Sequence, residues 1–236
     1  MFTDFHSHIL PGVDDGSGSV EESLAMLQLE ADQGVCRVVA TPHFYPRQDS
    51  PDRFLSRREK AVGRLQEALG KDGEYPQVLL GAEVLFFPGI SESDQLERLT
   101  FDGKRCILIE MPIPQWTKQM YRELENIYSR RGILPIIAHV DRYIRPFHTH
   151  GIPEQLSQLP VMVQANAGFF IRPSTRHMAL KMLRRQQIHI LGSDCHNLSD
   201  RRPNLASAEQ IIRSSLGTEA LQWIQSNEEE ILSLPE

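Results

Sequence analysis

Residues 4–8 of the chain read Asp4-Phe5-His6-Ser7-His8, within a start that has the character of a short extended segment. Side chains alternate between the two faces of a strand, so His6 and His8 are expected to point the same way and to bind one cation. A loop with two carboxylates, Asp14 and Asp15, follows closely. Imidazole and carboxylate ligands without a thiolate suit zinc, iron or manganese in a reactive site rather than a structural zinc site. This stretch predicts a metal site if later segments supply further ligands.

Composition favours a globular protein of the cytoplasm. The 236 residues are 40% hydrophobic and 24% charged, which is enough for a large buried core. The three cysteines are scattered and odd in number, which argues against a disulfide framework. The formal net charge of −6 makes a nucleic-acid-binding surface unexpected. No apolar run has the length of a membrane span, and no basic region followed by an apolar stretch opens the chain.

Short apolar runs alternate with helical patterns along the whole sequence. The runs after the N-terminal segment cover residues 35–40, 77–83, 105–110, 133–138, 161–166 and 188–193. Strands that alternate with helices form a parallel sheet, and about seven strands in this length favour a closed or nearly closed (β/α)7 barrel of the TIM type over an open sheet. No linker or low-complexity tract interrupts the pattern. We therefore expect one domain over residues 1–236.

The residues with metal-binding chemistry fall at or just after the predicted strand ends. They are His6, His8, His43, Glu83, Glu110, His139, Asp194 and His196. In a (β/α) barrel the carboxyl ends of the strands form the catalytic face. With Asp15 the set reaches nine ligands, which is too many for one ion and fits two or three ions that share a bridging carboxylate. Clustered metals suit hydrolysis of a phosphate ester.

Five motifs in order carry a family resemblance: His-Ser-His-Ile-Leu-Pro-Gly-Val-Asp-Asp-Gly, Ala-Thr-Pro-His, Gly-Ala-Glu-Val, Ala-His-Val-Asp-Arg-Tyr and Gly-Ser-Asp-Cys-His-Asn. Together they resemble the polymerase and histidinol phosphatase (PHP) superfamily. More closely, the chain is similar to its bacterial branch of manganese-dependent protein-tyrosine phosphatases from capsule and exopolysaccharide operons. The resemblance covers about residues 1–202. It implies a distorted barrel of the PHP fold.

The resemblance also implies which residues bind which ion. His6, His8, Glu83 and Asp194 would hold one metal; Glu83, Glu110 and His139 a second; Asp15, His43 and His196 a third. The second Asp of the Asp-Asp-Gly turn is the ligand in that family, so the resemblance favours Asp15 over Asp14. It implies two phosphate-binding arginines, Arg142 and either Arg201 or Arg202, with Arg201 preferred on spacing. Val140-Asp141 departs from the Pro-Glu of many relatives and leaves Arg142 in place.

The implied activity is that of a phosphoric monoester hydrolase acting on phosphotyrosine through a metal-bridged hydroxide. Two or three manganese ions are expected, with iron or zinc as alternatives. The implied partner is a tyrosine-phosphorylated protein such as the tail of a bacterial tyrosine kinase of capsule or exopolysaccharide synthesis. Neither nucleic acid nor membrane insertion is expected, and oligomerisation stays open.

Rival interpretations exist for several of these residues. Cys195 to Arg201 matches the Cys-x5-Arg loop of cysteine-dependent phosphatases, but the loop lacks glycine and Asp194 would raise the thiol pKa. Within the superfamily, a small metabolite such as histidinol phosphate or a nucleic-acid diester is an alternative substrate. A metal-stabilised binding module without turnover is the non-enzymatic alternative.

Two further motifs follow the predicted ligand segments. The second His-x-His, residues 148–150, is interpreted as solvated or part of a lid. Phe44-Tyr45-Pro46 could equally pack a substrate ring or merely seal a loop.

Overall fold

The computed structural model describes residues 2–70, 75–113, 115–144 and 151–235. Within these residues the strands are β1 (Phe2–Ser7), β2 (Val35–Ala40), β3 (His43–Phe44), β4 (Gln77–Leu80), β5 (Glu83–Leu85), β6 (Cys106–Glu110), β7 (Leu134–Ile137), β8 (Met162–Asn166) and β9 (Ile190–Gly192). The α-helices are α1 (Val20–Asp32), α2 (Pro51–Leu69), α3 (Lys118–Arg131), α4 (Ile152–Leu156), α5 (Ala167–Ile171), α6 (Pro173–Arg184), α7 (Leu205–Leu216) and α8 (Thr218–Ser233). The second His-x-His, residues 148–150, lies outside the described residues.

All strand pairs are parallel and follow chain order around a barrel. β1 pairs with β2, which pairs with β4, and a second run of pairs joins β3, β5, β6, β7, β8 and β9 in that order. Since β3 continues β2 after two residues and β5 continues β4 after two residues, the nine strands amount to seven barrel strands. The expected seven-strand α/β architecture is confirmed.

The first and last strands meet and close the ring. Asp194 N donates to His6 O at 2.8 Å, and His8 N donates to the Cys195 O at 2.9 Å. A parallel bridge pairs Ser7 with Cys195 between them. The seam therefore joins the two segments that carry the first and last predicted ligands.

Hydrophobic side chains pack in two layers. A cluster inside the ring takes Phe5 from β1, Val39 from β2, Leu108 from β6, Ile136 from β7 and Ile190 from β9. A larger cluster lies between the strands and the surrounding helices. Strands buried on both faces read as continuous apolar runs, which is why the sequence revealed them. Burial of each such side chain contributes about 1.5–3 kcal/mol.

Local signals place the helices. The Ser19 hydroxyl accepts from Glu22 N at the start of α1, and Ser50 caps α2 in the same way before Pro51. Gly132 ends α3 at a φ of 62°, in the left-handed region that suits glycine. The helix α7 begins at Leu205, two residues after Pro203. No helix among the described residues combines the length and apolar character needed to cross a membrane.

Candidate metal centre

Every predicted ligand lies at the carboxyl-end mouth of the barrel. His6 and His8 stand at the end of β1, His43 opens β3, Glu83 opens β5 and Glu110 ends β6. His139 follows β7 by two residues, and Asp194 and His196 follow β9. Parallel strands end on one face of a barrel, so separated segments deliver their side chains to one place.

Glu83 is at the centre of the group. Its Oε2 lies 3.1 Å from His6 Nε2 and 3.3 Å from His8 Nε2, while its Oε1 lies 2.6 Å from His139 Nε2. His43 Nδ1 is 2.9 Å from Oε2. Burial opposes ionisation of this carboxyl, but the imidazoles around it outweigh burial and hold the pKa of Glu83 well below its usual range. Both oxygens of this buried carboxylate therefore face imidazoles of the site.

The first group of donors surrounds the end of β1. Asp194 Oδ1 lies 3.6 Å from His6 Nε2 and 3.5 Å from His8 Nε2. His6 Nε2 and His8 Nε2 are 3.2 Å apart, both beside Glu83. The structure thus brings together the four residues expected to hold the first ion.

The second and third groups flank the first. His139 Nε2 lies 3.6 Å from Glu110 Oε1, next to its contact with Glu83. Asp15 Oδ1 lies 3.5 Å from His43 Nε2 and also 3.5 Å from His196 Nε2. Two histidines also lie close to groups other than those expected for them. His8 is within reach of Asp15, His43 and His196, and His43 is within reach of Glu83 and Glu110.

The turn after β1 gives its two carboxylates different surroundings. The side chain of Asp14 is only 8% exposed, and its Oδ2 accepts from His8 Nδ1 at 2.7 Å and from His43 N at 2.9 Å. Asp15 is 66% exposed and reaches over the histidines of the third group. A Cβ at Gly16 would lie 2.2 Å from His8 O, so the turn needs glycine there. Asp14 thus supports the His8 ring, whereas the Asp15 carboxylate faces His43 and His196.

Two arginines reach the same mouth. Arg142 Nη2 donates to Asp194 Oδ2 at 2.7 Å, and Arg201 Nη2 donates to Asp194 Oδ1 at 2.8 Å. Arg142 Nη1 also lies 3.3 Å from Glu110 Oε1. Both arginines are about one-third exposed, whereas Arg202 lies exposed outside the group. Of the two neighbouring candidates, the structure brings Arg201 to the site.

Two of the predicted ligands have strained backbones. Asp194 has a φ of 53° and His139 a φ of 30°. Residues other than glycine in this region cost on the order of 1–3 kcal/mol each and persist only where surrounding contacts hold them. Asp194 N bonds to His6 O, and His139 N bonds to Gln164 Oε1 at 2.5 Å. Backbone strain of this kind is found most often at active sites and ligand-binding positions.

Sequence reasoning missed two polar residues of the site. Gln164 Oε1 also lies 3.2 Å from His6 Nδ1, so one side chain orients two predicted ligands. Asn166 Nδ2 donates to Asp194 Oδ2 at 2.9 Å. A Cβ at Gly192 would lie 2.5 Å from His6 Cβ, so glycine makes room for the ring there. The sequence signal that could have identified Asn166 is its position at the end of a predicted strand.

The donor set fits a cluster of divalent cations. His196 Nε2 is buried and has no hydrogen-bond partner. Burial, together with the nearby charge of His8, lowers the pKa of His196 to about 4, so its imidazole is neutral at pH 7 and available as a ligand. Four carboxylates converge here, Asp15, Glu83, Glu110 and Asp194, and among the described residues Arg142 and Arg201 pair with two of them, Glu110 and Asp194. Nitrogen and oxygen donors without sulfur suit manganese, iron or zinc.

Cys195 is turned away from this mouth. Its thiol is fully buried beside the carboxyls of Asp4 and Glu30, on the side of the strand opposite the ligands. Burial raises the pKa of the Cys195 thiol well above its usual range, and the neighbouring carboxyls raise it further. A cysteine nucleophile at this position is therefore excluded by access and by charge.

Comparisons with known proteins find relatives over nearly the whole chain. The family model for capsular polysaccharide synthesis, CpsB/CapC, matches residues 2–233. A tyrosine-protein phosphatase CpsB of Streptococcus agalactiae is 29% identical over 240 residues, which is 97% of this chain and 97% of the relative. A tyrosine-protein phosphatase YwqE of Bacillus subtilis is 28% identical over 242 residues, covering 97% of this chain and 91% of the relative.

Solved structures match the fold. A chain from the crystal structures of YwqE from Bacillus subtilis and CpsB from Streptococcus pneumoniae, described as metal-dependent tyrosine phosphatases, superposes with a TM-score of 0.87 at 24% identity over 100% of this chain and 96% of that chain. The lactonase Lmo2620 from Listeria monocytogenes superposes with a TM-score of 0.60 at 14% identity over 100% of this chain and 95% of that chain. Both likenesses concern the backbone architecture described above.

Proposed function

We propose that this chain, which belongs to the CpsB/CapC family of capsular polysaccharide synthesis, is a metal-dependent protein-tyrosine phosphatase. The observation that carries the proposal is the meeting of nine predicted ligands and two arginines at one mouth of the barrel. The relatives named tyrosine-protein phosphatase, aligned over nearly the whole chain, support phosphotyrosine as the substrate. Since the ligands run from β1 to the segment after β9, we take residues 1–236 as one domain.

The ligand assignment is part of the proposal. The metal ligands are His6, His8, Asp15, His43, Glu83, Glu110, His139, Asp194 and His196, and they would hold two or three ions. Manganese is the proposed metal, with iron or zinc as alternatives that the same donors accept. Gln164 and Asp14 would keep the imidazoles oriented, as the second-sphere partners of metal-bound histidines do.

The chain's own residues suit hydrolysis of an aryl phosphate. Divalent cations bound here would supply Lewis acidity and an activated water. Arg142 and Arg201 both donate hydrogen bonds to Asp194, and this shared partner would place their guanidinium groups next to each other to bind phosphoryl oxygens. They would stabilise the charge that redistributes over those oxygens as the ester bond breaks. A tyrosinate leaving group, with a pKa of about 10, needs no strong general acid.

The proposed partner is a tyrosine-phosphorylated protein of the cytoplasm, in particular the tail of a bacterial tyrosine kinase of capsule or exopolysaccharide synthesis. The capsular polysaccharide family supports this choice of pathway. The excess of acidic over basic residues argues against a nucleic-acid substrate.

The decisive experiment compares substrates with and without metal. Protein stripped of metal and reconstituted with manganese should hydrolyse a phosphotyrosine peptide far faster than histidinol phosphate, and EDTA should abolish the activity. Preference for histidinol phosphate would refute the protein substrate. Full activity in EDTA would refute the metal centre. Metal binding without turnover of either substrate or of p-nitrophenyl phosphate would indicate a binding module.

A further inference from the structure

The two aromatic residues after His43 have separate environments. Phe44 is buried and packs edge-on against Phe54, with ring centroids 5.3 Å apart. Tyr45 is only partly buried and stacks on His43, with centroids 5.0 Å apart and an interplanar angle of 20°. Phe44 therefore seals the loop against the core, while Tyr45 stands over a predicted ligand at the mouth of the barrel.

Tyr45 directly follows β3, which is followed around the barrel by β5 and β6. Phe44 pairs with Val84 of β5, and Leu85 of β5 pairs with Glu110 of β6. Tyr45 therefore lies on the side of the mouth where β5 and β6 end. The arginines approach from the segments after β7 and β9, where both contact Asp194.

Other apolar residues follow the neighbouring strands β5 and β6. Phe86 follows Glu83 by three residues and is partly buried, and its N–H donates to Glu110 O at 2.8 Å, which fixes this loop beside the end of β6. Ile113 follows Glu110 by three residues and is 56% exposed. The segments after β3, β5 and β6 thus supply apolar surface, and those after β7 and β9 supply guanidinium groups.

We infer that Tyr45 forms the wall on which the aromatic ring of the substrate packs, and that it makes the site select aryl over alkyl phosphate esters. The inference rests on the proposed phosphatase function. A phosphoryl group held between the arginines and the metal ligands leaves its ester substituent to extend over the remaining, apolar side of the mouth. An aromatic ring gains there from offset or edge contacts with Tyr45, and a short alkyl chain does not. Stacking on His43 holds the Tyr45 ring in place beforehand, which lowers the entropy cost of binding.

A binding experiment tests the inference apart from turnover. Calorimetry on manganese-loaded protein would compare phenylphosphonate with inorganic phosphate. Tyr45→Ala should reduce the preference for phenylphosphonate about threefold to tenfold, whereas Tyr45→Phe should keep it because the ring remains. Tyr128→Ala is the matched control, since Tyr128 is 46% exposed at the other end of the barrel, near the start of β7.

A kinetic experiment uses two peptides of one sequence, with phosphotyrosine in one and phosphoserine in the other. Tyr45→Ala should lower kcat/KM for the phosphotyrosine peptide by a similar factor, chiefly through KM, and should leave the phosphoserine peptide unaffected. An unchanged phenylphosphonate preference in Tyr45→Ala would overturn the inference. So would a loss of bound manganese in that variant, because Tyr45 would then act only by supporting His43. If the wild type bound phenylphosphonate in preference to inorganic phosphate but hydrolysed neither peptide, the proposed function would fail, while the packing of an aryl ring on Tyr45 would still hold.

Discussion

Asp14→Asn should flatten the pH dependence of cation binding, because Asp14 helps to keep His8 protonated in the metal-free protein. Burial favours the neutral imidazole of His8, but hydrogen bonds to Asp14 and Glu83 outweigh burial and raise the pKa of His8 to about 10. A cation that binds His8 must displace this proton, so binding competes with protonation over the whole neutral range.

The size of the effect follows from the linkage between proton and cation. Below the pKa of His8, the apparent cation affinity rises about tenfold per pH unit for one displaced proton, or about 1.4 kcal/mol. Between pH 6 and pH 8 the wild type should therefore gain on the order of 100-fold in affinity. Asparagine keeps a hydrogen-bond acceptor at position 14 but removes its charge, so the pKa of His8 falls and the gain should be smaller.

Calorimetric titration of manganese into metal-free protein, under anaerobic conditions and in buffers of different ionisation enthalpy, measures both the affinity and the protons released. The wild type should release about one proton or more per cation at pH 7, and Asp14→Asn should release fewer. Asp94→Asn is the control, because Asp94 is almost fully exposed and far from the mouth. An affinity that does not change between pH 6 and pH 8, or the same slope in wild type and Asp14→Asn, would refute the reasoning.

Three further predictions concern single side chains. Arg142→Ala and Arg201→Ala should each lower kcat/KM for a phosphotyrosine peptide by about 100-fold or more with manganese content unchanged, whereas Arg202→Ala should stay within about twofold because that side chain lies outside the site; equal losses in all three would contradict the geometry. Cys195→Ser should keep most of the phosphatase activity, since the thiol is buried away from the mouth, and complete loss with metal still bound would revive a cysteine mechanism. Burial raises the pKa of Glu228 to about 8. Stability that is fully present below the carboxyl pKa of the unfolded chain is therefore lost as pH rises through 8. The free energy of unfolding of Glu228→Gln should exceed that of the wild type by on the order of 1–3 kcal/mol at pH 9 but by little at pH 5. Urea unfolding at both pH values checks this last prediction, and an equal difference at both would contradict it.

The positions of the barrel strands and of the charged site residues could be predicted from sequence, since both depend on patterns along the chain. Apolar runs mark strands buried on both faces, and a parallel barrel delivers each strand end to one mouth. Glu83 and Glu110 were singled out by this position, and the structure places both at the mouth. For these two residues, the position predicted from the sequence pattern and the position in the folded barrel agree.

What the sequence could not supply depends on three-dimensional detail. Strict alternation along β1 would place the side chains of Phe5 and His6 on opposite faces of the strand. In the structure Phe5 lies in the interior cluster and His6 also faces the site, because the pairing register of β1 with β2 shifts between Asp4 and Ser7. The different roles of Asp14 and Asp15 depend on the turn at Gly16 rather than on residue type.

Neutral and aromatic site residues carry a weaker signal in sequence. An amide such as Gln164 has no metal-binding signature, so its contacts with His6 and His139 become visible only once the barrel is closed. Phe44 and Tyr45 stand next to each other in sequence, and only their packing separates a core residue from one at the mouth.

The seam between β1 and the segment after β9 has a consequence for biosynthesis. His6 leaves the ribosome well before Asp194 and His196, because a long stretch of sequence separates them. A nascent chain that stalls, or a product cut before β9, lacks both late residues and the hydrogen bonds that close the ring. Cation uptake by the complete cluster would then report that translation has passed this point, so truncated chains would be distinguished by their failure to load metal.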